Sequence, residues 1–363
     1  TAALQSRMVR ACGRALVDQP PGRRYLMLTL GSHLFSLLLN LGAMTLLGAM
    51  IRSATAPATV DPRIAEIRLR RTGLAIMRGF AAATLWLPTS ITVQVVLAAI
   101  PGYGWQEFAA QGAATAACFL AVGWLLDRLG HPPPPPGPAA APIRAALARL
   151  APMGLLTLGI LIAVAGVAVL SGLRPIAALL CVVPCVGLGW MALQRRRAGP
   201  ARVPLLWLRQ LRRRVLPDLA TLRSEVTILA SAGIIAVLLP HQLDTRALAA
   251  LVLENHLSAT MLLVPLVWIV ALTAPLGLSP IVTVAASLEL LVHLPGVDIA
   301  PGALAFAGTV GWCLGTGLSP LGATVRIMAR AIARPAAQIG PVWNRSFTLW
   351  IGLAATAVLI AIT

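Results

Sequence analysis

Long apolar runs constrain the fold of this chain more than any other feature of its sequence. Several of them approach the roughly 20 residues that a helix needs to cross a lipid bilayer. Of the 363 residues, 58% are hydrophobic and only 11% are charged, and the mean hydropathy is +0.85. A water-soluble chain of this length needs far more polar surface. The sequence therefore predicts an all-α polytopic membrane protein with the lipid bilayer as its surroundings.

Arginine carries the charge of the chain. The 29 basic residues are all arginine, against 11 acidic residues, and the formal net charge is +18. Arginine clusters between apolar runs follow the positive-inside rule, so we predict an inner (plasma) membrane protein with cytoplasmic Arg-rich loops. The arginines form no soluble basic domain with interleaved aromatic residues, so binding to nucleic acid is not expected.

The first apolar run, 25–51, has basic residues on both of its flanks. Both ends are therefore predicted to lie on the cytoplasmic side, and such a run cannot cross the membrane once. Asn40 and Gly42 tolerate the backbone of a turn near the middle of the run. We interpret 25–51 as a re-entrant helical hairpin; the alternative is a single span followed by one basic loop outside.

The remainder of the first half, within 1–130, contains a broken and an unbroken helix. The run 72–100 is interrupted at Pro88, and the run 108–126 is predicted to return to the cytoplasm as a closing helix. Residues 131–150 are interpreted as a stiff, proline-rich cytoplasmic linker. Residues 151–240 are interpreted as scaffold helices followed by an amphipathic arm.

The last part of the chain, 241–363, is predicted to repeat this order with inverted topology. Its elements are a hairpin at 257–294, a broken helix at 302–334 interrupted at "GTGLSP", and a closing helix at 346–362. The flanks of the hairpin run carry one arginine and several acids, so this hairpin is predicted to enter from outside. Two ordinary spans are the alternative for the same run.

Non-helical backbone at membrane depth persists only where protein or water surrounds it. In many secondary transporters, inverted repeats with broken helices place a binding site at their junction, where helix N-termini attract anions and freed carbonyls hold cations. The sequence therefore predicts a substrate or ion site at both hairpin tips and both breaks. The predicted site residues are Asn40, Gly42, Pro88, Thr89, Ser90, Thr92, Gly277, Ser279, Pro280, Gly315, Thr316, Ser319, Pro320 and Thr324. The alternative is that the prolines only kink packed helices and the hydroxyls cap their own helices.

Ionisable residues inside apolar runs are costly and give further candidates. Glu289 and His33 are proton-coupling candidates; the alternatives are an interfacial carboxylate and a hydrogen-bonded structural histidine. Arg78 and Arg326 flank the two broken helices. They either attract an anion or extend their charged ends to the membrane surface, and we expect the second.

Four segments carry a resemblance to a known family: "RYLMLTLGSHLFSLLLNLGAM", "LRSEVTILASAGI", "LGLSPIVTVAASLELL" and "GTGLSPLGATVRIMARAI". Their order of hairpin, broken helix and closing helix resembles the ion transporter superfamily. That group includes divalent anion/sodium symporters, arsenite permease-like proteins and the large membrane subunits of tripartite ATP-independent transporters. The resemblance implies secondary transport and dimerisation.

This chain departs from that family in two respects. It lacks the Ser-Asn-Thr signatures that the symporters carry at hairpin tips, so sodium and dicarboxylate binding is not carried over. Its first half has no counterpart of the helices within 151–239. Either a preceding scaffold lies outside this sequence or the fold is reduced.

The function predicted from these features is secondary active transport of a small anionic solute by alternating access, coupled to a Na⁺ or H⁺ gradient, in a homodimer or with a partner subunit. One alternative is a cation/proton antiporter, which would need a buried carboxylate at the breaks. Another is a non-transporting subunit that anchors or assembles a larger complex. No HExxH, GxSxG or phosphate-loop motif is present, so an enzyme is not expected. Cys181 and Cys185 share a helix face without further ligands nearby, so no metal site or cofactor is expected.

Overall fold

A computed structural model describes residues 19–55, 61–131, 143–173, 175–194 and 244–363, together with positions 15–16 and isolated positions between 208 and 242. Numbered in chain order among these residues, the α-helices are α1 (Pro21–Leu39), α2 (Leu41–Thr55), α3 (Pro62–Thr84), α4 (Ile91–Ala98), α5 (Trp105–Gly130), α6 (Ile143–Ser171), α7 (Pro175–Gln194), α8 (Thr245–Glu254), α9 (Ala259–Thr273), α10 (Pro280–Val292), α11 (Pro301–Leu318), α12 (Ala323–Ile332) and α13 (Arg345–Ile362). The described residues contain no β-strand. The predicted amphipathic arm falls almost entirely outside them.

Within the described part of the chain, five helical segments are long and apolar enough to cross a membrane. They are Trp105–Gly130, Leu150–Ser171, Ala259–Leu276, Pro301–Ile332 and Arg345–Ile362. The chain is therefore an all-α polytopic membrane protein, and the prediction of this fold class is confirmed.

A single residue separates the first two helices. Asn40 joins α1 to α2 with a positive φ of 48°, a backbone conformation that asparagine tolerates better than most residues. The next helix, α3, begins after Asp61, whose side chain accepts a hydrogen bond from the Arg63 backbone N–H at 2.8 Å. This helix ends at Thr84, and residues 85–90 separate it from α4. The helices of the first half are thus interrupted at Asn40 and around Pro88, the two places that the sequence predicts.

The second half is interrupted in the same order. A 3₁₀ turn, Ala274–Leu276, follows α9, and Gly277 then adopts a φ of 108°. Only glycine takes this conformation without strain, so it fixes the turn between α9 and α10. Residues 319–322 separate α11 from α12. A π-helical turn, Gln338–Trp343, precedes α13.

The predicted linker differs in part from the structure. Residues 132–142 lie outside the described residues, but α6 begins at Ile143, so positions 143–150 are helical. An Ala-rich segment with two arginines favours helix once the prolines end. The helices α6 and α7 pack against each other around Val164, Ala178 and Val182.

Helix contacts recur between the two halves. In the first half α1 packs along α3 and α5 packs on α3; in the second, α9 packs along α11 and α13 packs on α11. The second helix of each hairpin packs against the broken helix of the other half: α2 contacts α12, and α10 contacts α4. Reciprocal contacts of this kind are expected when two five-helix units, here α1–α5 and α9–α13, are related by a twofold axis. Their opposite orientation in the membrane stays a prediction.

An ion pair also links the halves. Arg334, which follows α12, donates from Nη2 to Glu66 Oε2 on α3 at 2.6 Å. The hydrogen bond to Glu66 raises the pKa of Arg334. Both side chains are more than a third exposed, so the pair contributes at most about 1 kcal/mol to stability.

Candidate functional site

The two hairpin tips and the two helix breaks surround one cavity. It has a volume of about 410 Å³, within the range of roughly 300–1,000 Å³ that is typical of ligand pockets. We call it the main cavity. The predicted site residues that line it are Asn40, Thr89, Ser90, Thr92, Gly277, Ser279, Pro280, Thr316, Ser319 and Thr324. Residues far apart in the sequence, from both halves, therefore meet at one place.

The other predicted site residues are not among the lining residues: Gly42, Pro88, Gly315 and Pro320. Gly315 lets α11 approach α9 closely, since a Cβ atom there would lie 2.9 Å from the Val270 carbonyl oxygen. The Pro88 carbonyl accepts a hydrogen bond from Gln94 Nε2 at 2.5 Å. Pro88 lies in the first break, whereas Gly315 lies within α11, and the residue that follows each of them lines the cavity.

The two proton-coupling candidates also lie away from the cavity lining. Glu289, on α10, lies 3.6 Å from His293 one turn later, and its side chain is partly exposed. His33, on α1, accepts a hydrogen bond from Trp86 Nε1 at 3.3 Å and stacks on that ring. These contacts favour the structural alternatives given above for both residues.

Serine hydroxyls satisfy backbone groups that the helix breaks leave free. Ser90 Oγ donates to the Thr84 carbonyl at 3.1 Å in the first break. In the second, Ser319 Oγ donates to the Ala274 carbonyl at 2.8 Å and so ties this break to the hairpin of the same half. The Thr316 hydroxyl donates to its own helix, at the Trp312 carbonyl. Thr324 differs, because its hydroxyl has no hydrogen-bond partner among the described residues.

Three helices begin at the main cavity. The N-cap residues of α4, α10 and α12 are Ser90, Ser279 and Gly322, and none provides a side-chain hydrogen bond to its helix. The first N–H groups of a helix lack partners within it and carry partial positive charge. No acidic side chain is among the described residues that line the cavity. Its electrostatics therefore favour a negatively charged group.

Arg78 does not extend to the membrane surface, so that prediction is wrong. The residue is 5% exposed. Its Nη1 donates to the Tyr25 hydroxyl at 2.9 Å, and its Nε donates to Asn344 Oδ1 at 3.2 Å. Its guanidinium also lies 4.2 Å from the centre of the Phe347 ring. Arg326, by contrast, is exposed.

Arg78 lines a second, smaller cavity of about 20 Å³, which we call the inner cavity. Four residues line both cavities, so the two adjoin: Phe80, Thr84, Thr316 and Thr324. Asn344 also lines the inner cavity, and its Nδ2 donates to the Gly317 carbonyl at 3.3 Å, near the end of α11.

Several lining residues were missed from the sequence, among them Ser36, Thr84 and Trp312. Helical spacing would have found two of them. Ser36 is four residues before Asn40, and Trp312 is four residues before Thr316, so each shares a helix face with a predicted residue. Among the described residues, no group of three or more His, Cys, Asp or Glu is placed to hold a metal ion.

Cysteine labelling tests whether the main cavity is open to water. We expect single cysteines at Asn40 and Leu278, both exposed and lining the cavity, to react with a membrane-impermeant maleimide. The background should have its five native cysteines replaced. A cysteine at Ala82, which is fully buried, is the control and should remain unlabelled. Equal labelling at all three positions would contradict the expected arrangement.

The chain is thus a polytopic membrane protein in which interrupted helices from both halves meet at one cavity. The fold is similar to the crystal structure of the YdaH transporter from Alcanivorax borkumensis, with a TM-score of 0.60 and 15% sequence identity over 99% of this chain and 82% of that chain. No known protein family matches the sequence, and neither does any curated protein. At this identity the likeness establishes the fold alone.

Proposed function

We propose that this protein is a secondary active transporter that moves a small anionic solute across the inner membrane by alternating access. The observation that supports this function is the main cavity, because both halves of the chain line it at their helix breaks. Interrupted helices are costly in a membrane unless the freed backbone is buried in protein or lines a water-filled cavity, and here the breaks line a cavity. The similar fold of the YdaH transporter adds to this support.

The charges around the cavity favour an anion. Three uncapped helix N-termini face it, the buried Arg78 lies next to it, and no acidic side chain is among its described lining residues. A cation/proton antiporter would need a carboxylate there, so this alternative is weaker. A purely anchoring subunit would have no use for a ligand-sized cavity.

Alternating access would use the two hairpins. In this proposal the two halves are inverted repeats, the α1–α2 and α9–α10 hairpins enter the membrane from opposite sides, and the Arg-rich loops are cytoplasmic. The contacts of α2 with α12 and of α10 with α4 tie each hairpin to the broken helix of the other half. A small rotation of one half against the other would then open the cavity on one side as it closes on the other.

Uptake into proteoliposomes tests this function. We expect a labelled anion from a panel of small carboxylates and inorganic anions to accumulate when a Na⁺ or pH gradient is imposed. Accumulation should collapse when the gradient is dissipated, and neutral amides of the same carboxylates should not accumulate. Absence of uptake for every anion under either gradient would favour the non-transporting subunit.

A further inference from the structure

Arg78 carries a buried positive charge that no acidic side chain among the described residues pairs with. The ion pairs among the described residues are Arg71–Asp127, His131–Asp127, His293–Glu289 and Arg334–Glu66. Asp127 already accepts two hydrogen bonds from Arg71, at 2.7 and 2.9 Å. Burying a charged group without an opposite charge beside it is costly.

The guanidinium of Arg78 also has hydrogen-bond donors to spare. It carries five N–H groups, and its bonds to Tyr25 and Asn344 use two nitrogen atoms, Nη1 and Nε. Its third nitrogen, Nη2, has no partner among the described residues. Asn344 is engaged at both ends of its amide, because its oxygen accepts from Arg78 and its nitrogen donates to the Gly317 carbonyl. The protein therefore supplies a surplus of positive donors here and no anionic acceptor.

The inner cavity provides the space that such an acceptor needs. A volume of about 20 Å³ exceeds the roughly 10–15 Å³ that one water-sized group requires. This is room for one carboxylate oxygen or one halide ion, and too little for a second charged group. The free hydroxyl of Thr324 lies on the wall shared with the main cavity.

We propose that Arg78 binds a single negatively charged group in the inner cavity, and that this group is one end of the transported anion, whose remainder occupies the main cavity. Arg78 is then the positive charge that selects the solute, and Thr324 is the hydroxyl beside it. The proposal rests on the proposed function and adds to it the residue that recognises the charge of the solute, since the inner cavity has room for one charged group and Arg78 is the only cationic side chain among the described lining residues of either cavity.

A purely structural role is the competing explanation. Arg78 joins α1 through Tyr25 to the start of α13 through Asn344 and Phe347. Its removal would then lower stability but leave the choice between charged and neutral ligands unchanged. The test must therefore measure ligand charge selectivity as well as stability.

The experiment compares binding of matched ligands to purified full-length protein by calorimetry. The probes are acetate, lactate and benzoate, each paired with its primary amide, and sodium bromide as an inorganic anion. We expect the wild type to bind at least one carboxylate in preference to its amide. Arg78→Gln should weaken the binding of that carboxylate by about 10- to 100-fold, the range expected for lost hydrogen bonds to a charged group. Binding of the amide should be unchanged. Arg78→Lys should restore part of the preference.

Arg326→Gln is the matched control, because it removes the same charge from an exposed arginine that lines neither cavity. It should bind like the wild type. If bromide alone binds, and does so only with Arg78 present, the anionic group is a halide and not part of the solute. An unchanged carboxylate preference in Arg78→Gln, or no anion binding to the wild type, overturns the proposal. Gradient-driven uptake is measured separately. If the protein transports an anion but Arg78→Gln does not change the preference for carboxylate over amide, the Arg78 proposal fails and the transport function does not.

Discussion

Replacing Gly79 with alanine should destabilise the folded protein, although alanine is the better helix former. Gly79 lies on α3 where α1 crosses it. A Cβ atom there would lie 2.2 Å from the Thr29 carbonyl oxygen and 2.9 Å from Ser32 Cβ. The nearest atom belongs to backbone and cannot rotate away, so the two helices must separate, which also strains the hydrogen bond from Ser32 Oγ to the Ile76 carbonyl. Overpacking of this kind costs about 1–3 kcal/mol.

The control variant for this prediction is not expected to lose stability. Gly159, on α6, has no atom within 4 Å of the position of a new Cβ. Its replacement by alanine should leave the protein as stable or stabilise it by up to about 1 kcal/mol, the helix-propensity difference. Unfolding midpoints in detergent measure both variants. Equal effects of Gly79→Ala and Gly159→Ala would show that α1 and α3 do not approach as closely as described.

The interruptions of the helices were predictable because their signals are local. Asn40 and Gly277 adopt positive φ values, and asparagine and glycine are the residues that do so most readily. Pro88 and Pro320 mark the two breaks for the same kind of reason, since proline lacks a backbone N–H donor. These residues pointed to the cavity even though two of them do not line it.

The extent of α3 was not predictable in the same way. Hydropathy placed the start of the run at residue 72, but the helix begins at Pro62. The intervening segment is rich in arginine, and its helical state depends on partners elsewhere, such as Asp127 for Arg71 and the segment after α12 for Glu66. A hydropathy profile does not include these pairings.

The environment of Arg78 depends on contacts still farther away in the sequence. Its partner Asn344 is 266 positions away, and the aromatic ring of Phe347 comes from the same distant segment. On sequence grounds alone, an arginine near the end of an apolar run is expected to reach toward water. Only the packing of α13 against α11 and α5 shows that this arginine is enclosed. Much of the lining of the main cavity follows from local signals, whereas the enclosed charge of Arg78 beside it depends on tertiary structure.

Placing a large side chain in the main cavity should strongly reduce transport without unfolding the protein. Thr89 lies in the first break, lines the cavity and is partly exposed, so Thr89→Trp has open space for its ring. A solute must then compete with the indole for the same volume. Overpacking costs about 1–3 kcal/mol, which corresponds to roughly 5- to 150-fold weaker binding.

The matched control for Thr89→Trp is Thr45→Trp. Thr45 is exposed on α2 and lines neither cavity, so this variant introduces the same aromatic ring where no solute passes. Gradient-driven uptake into proteoliposomes at equal protein density and low solute concentration should fall by roughly 5- to 150-fold in the first variant and be retained in the second, with similar unfolding midpoints for both. Normal uptake by Thr89→Trp would place the path of the solute elsewhere, because a ring that fills the junction of the breaks cannot leave an essential passage open.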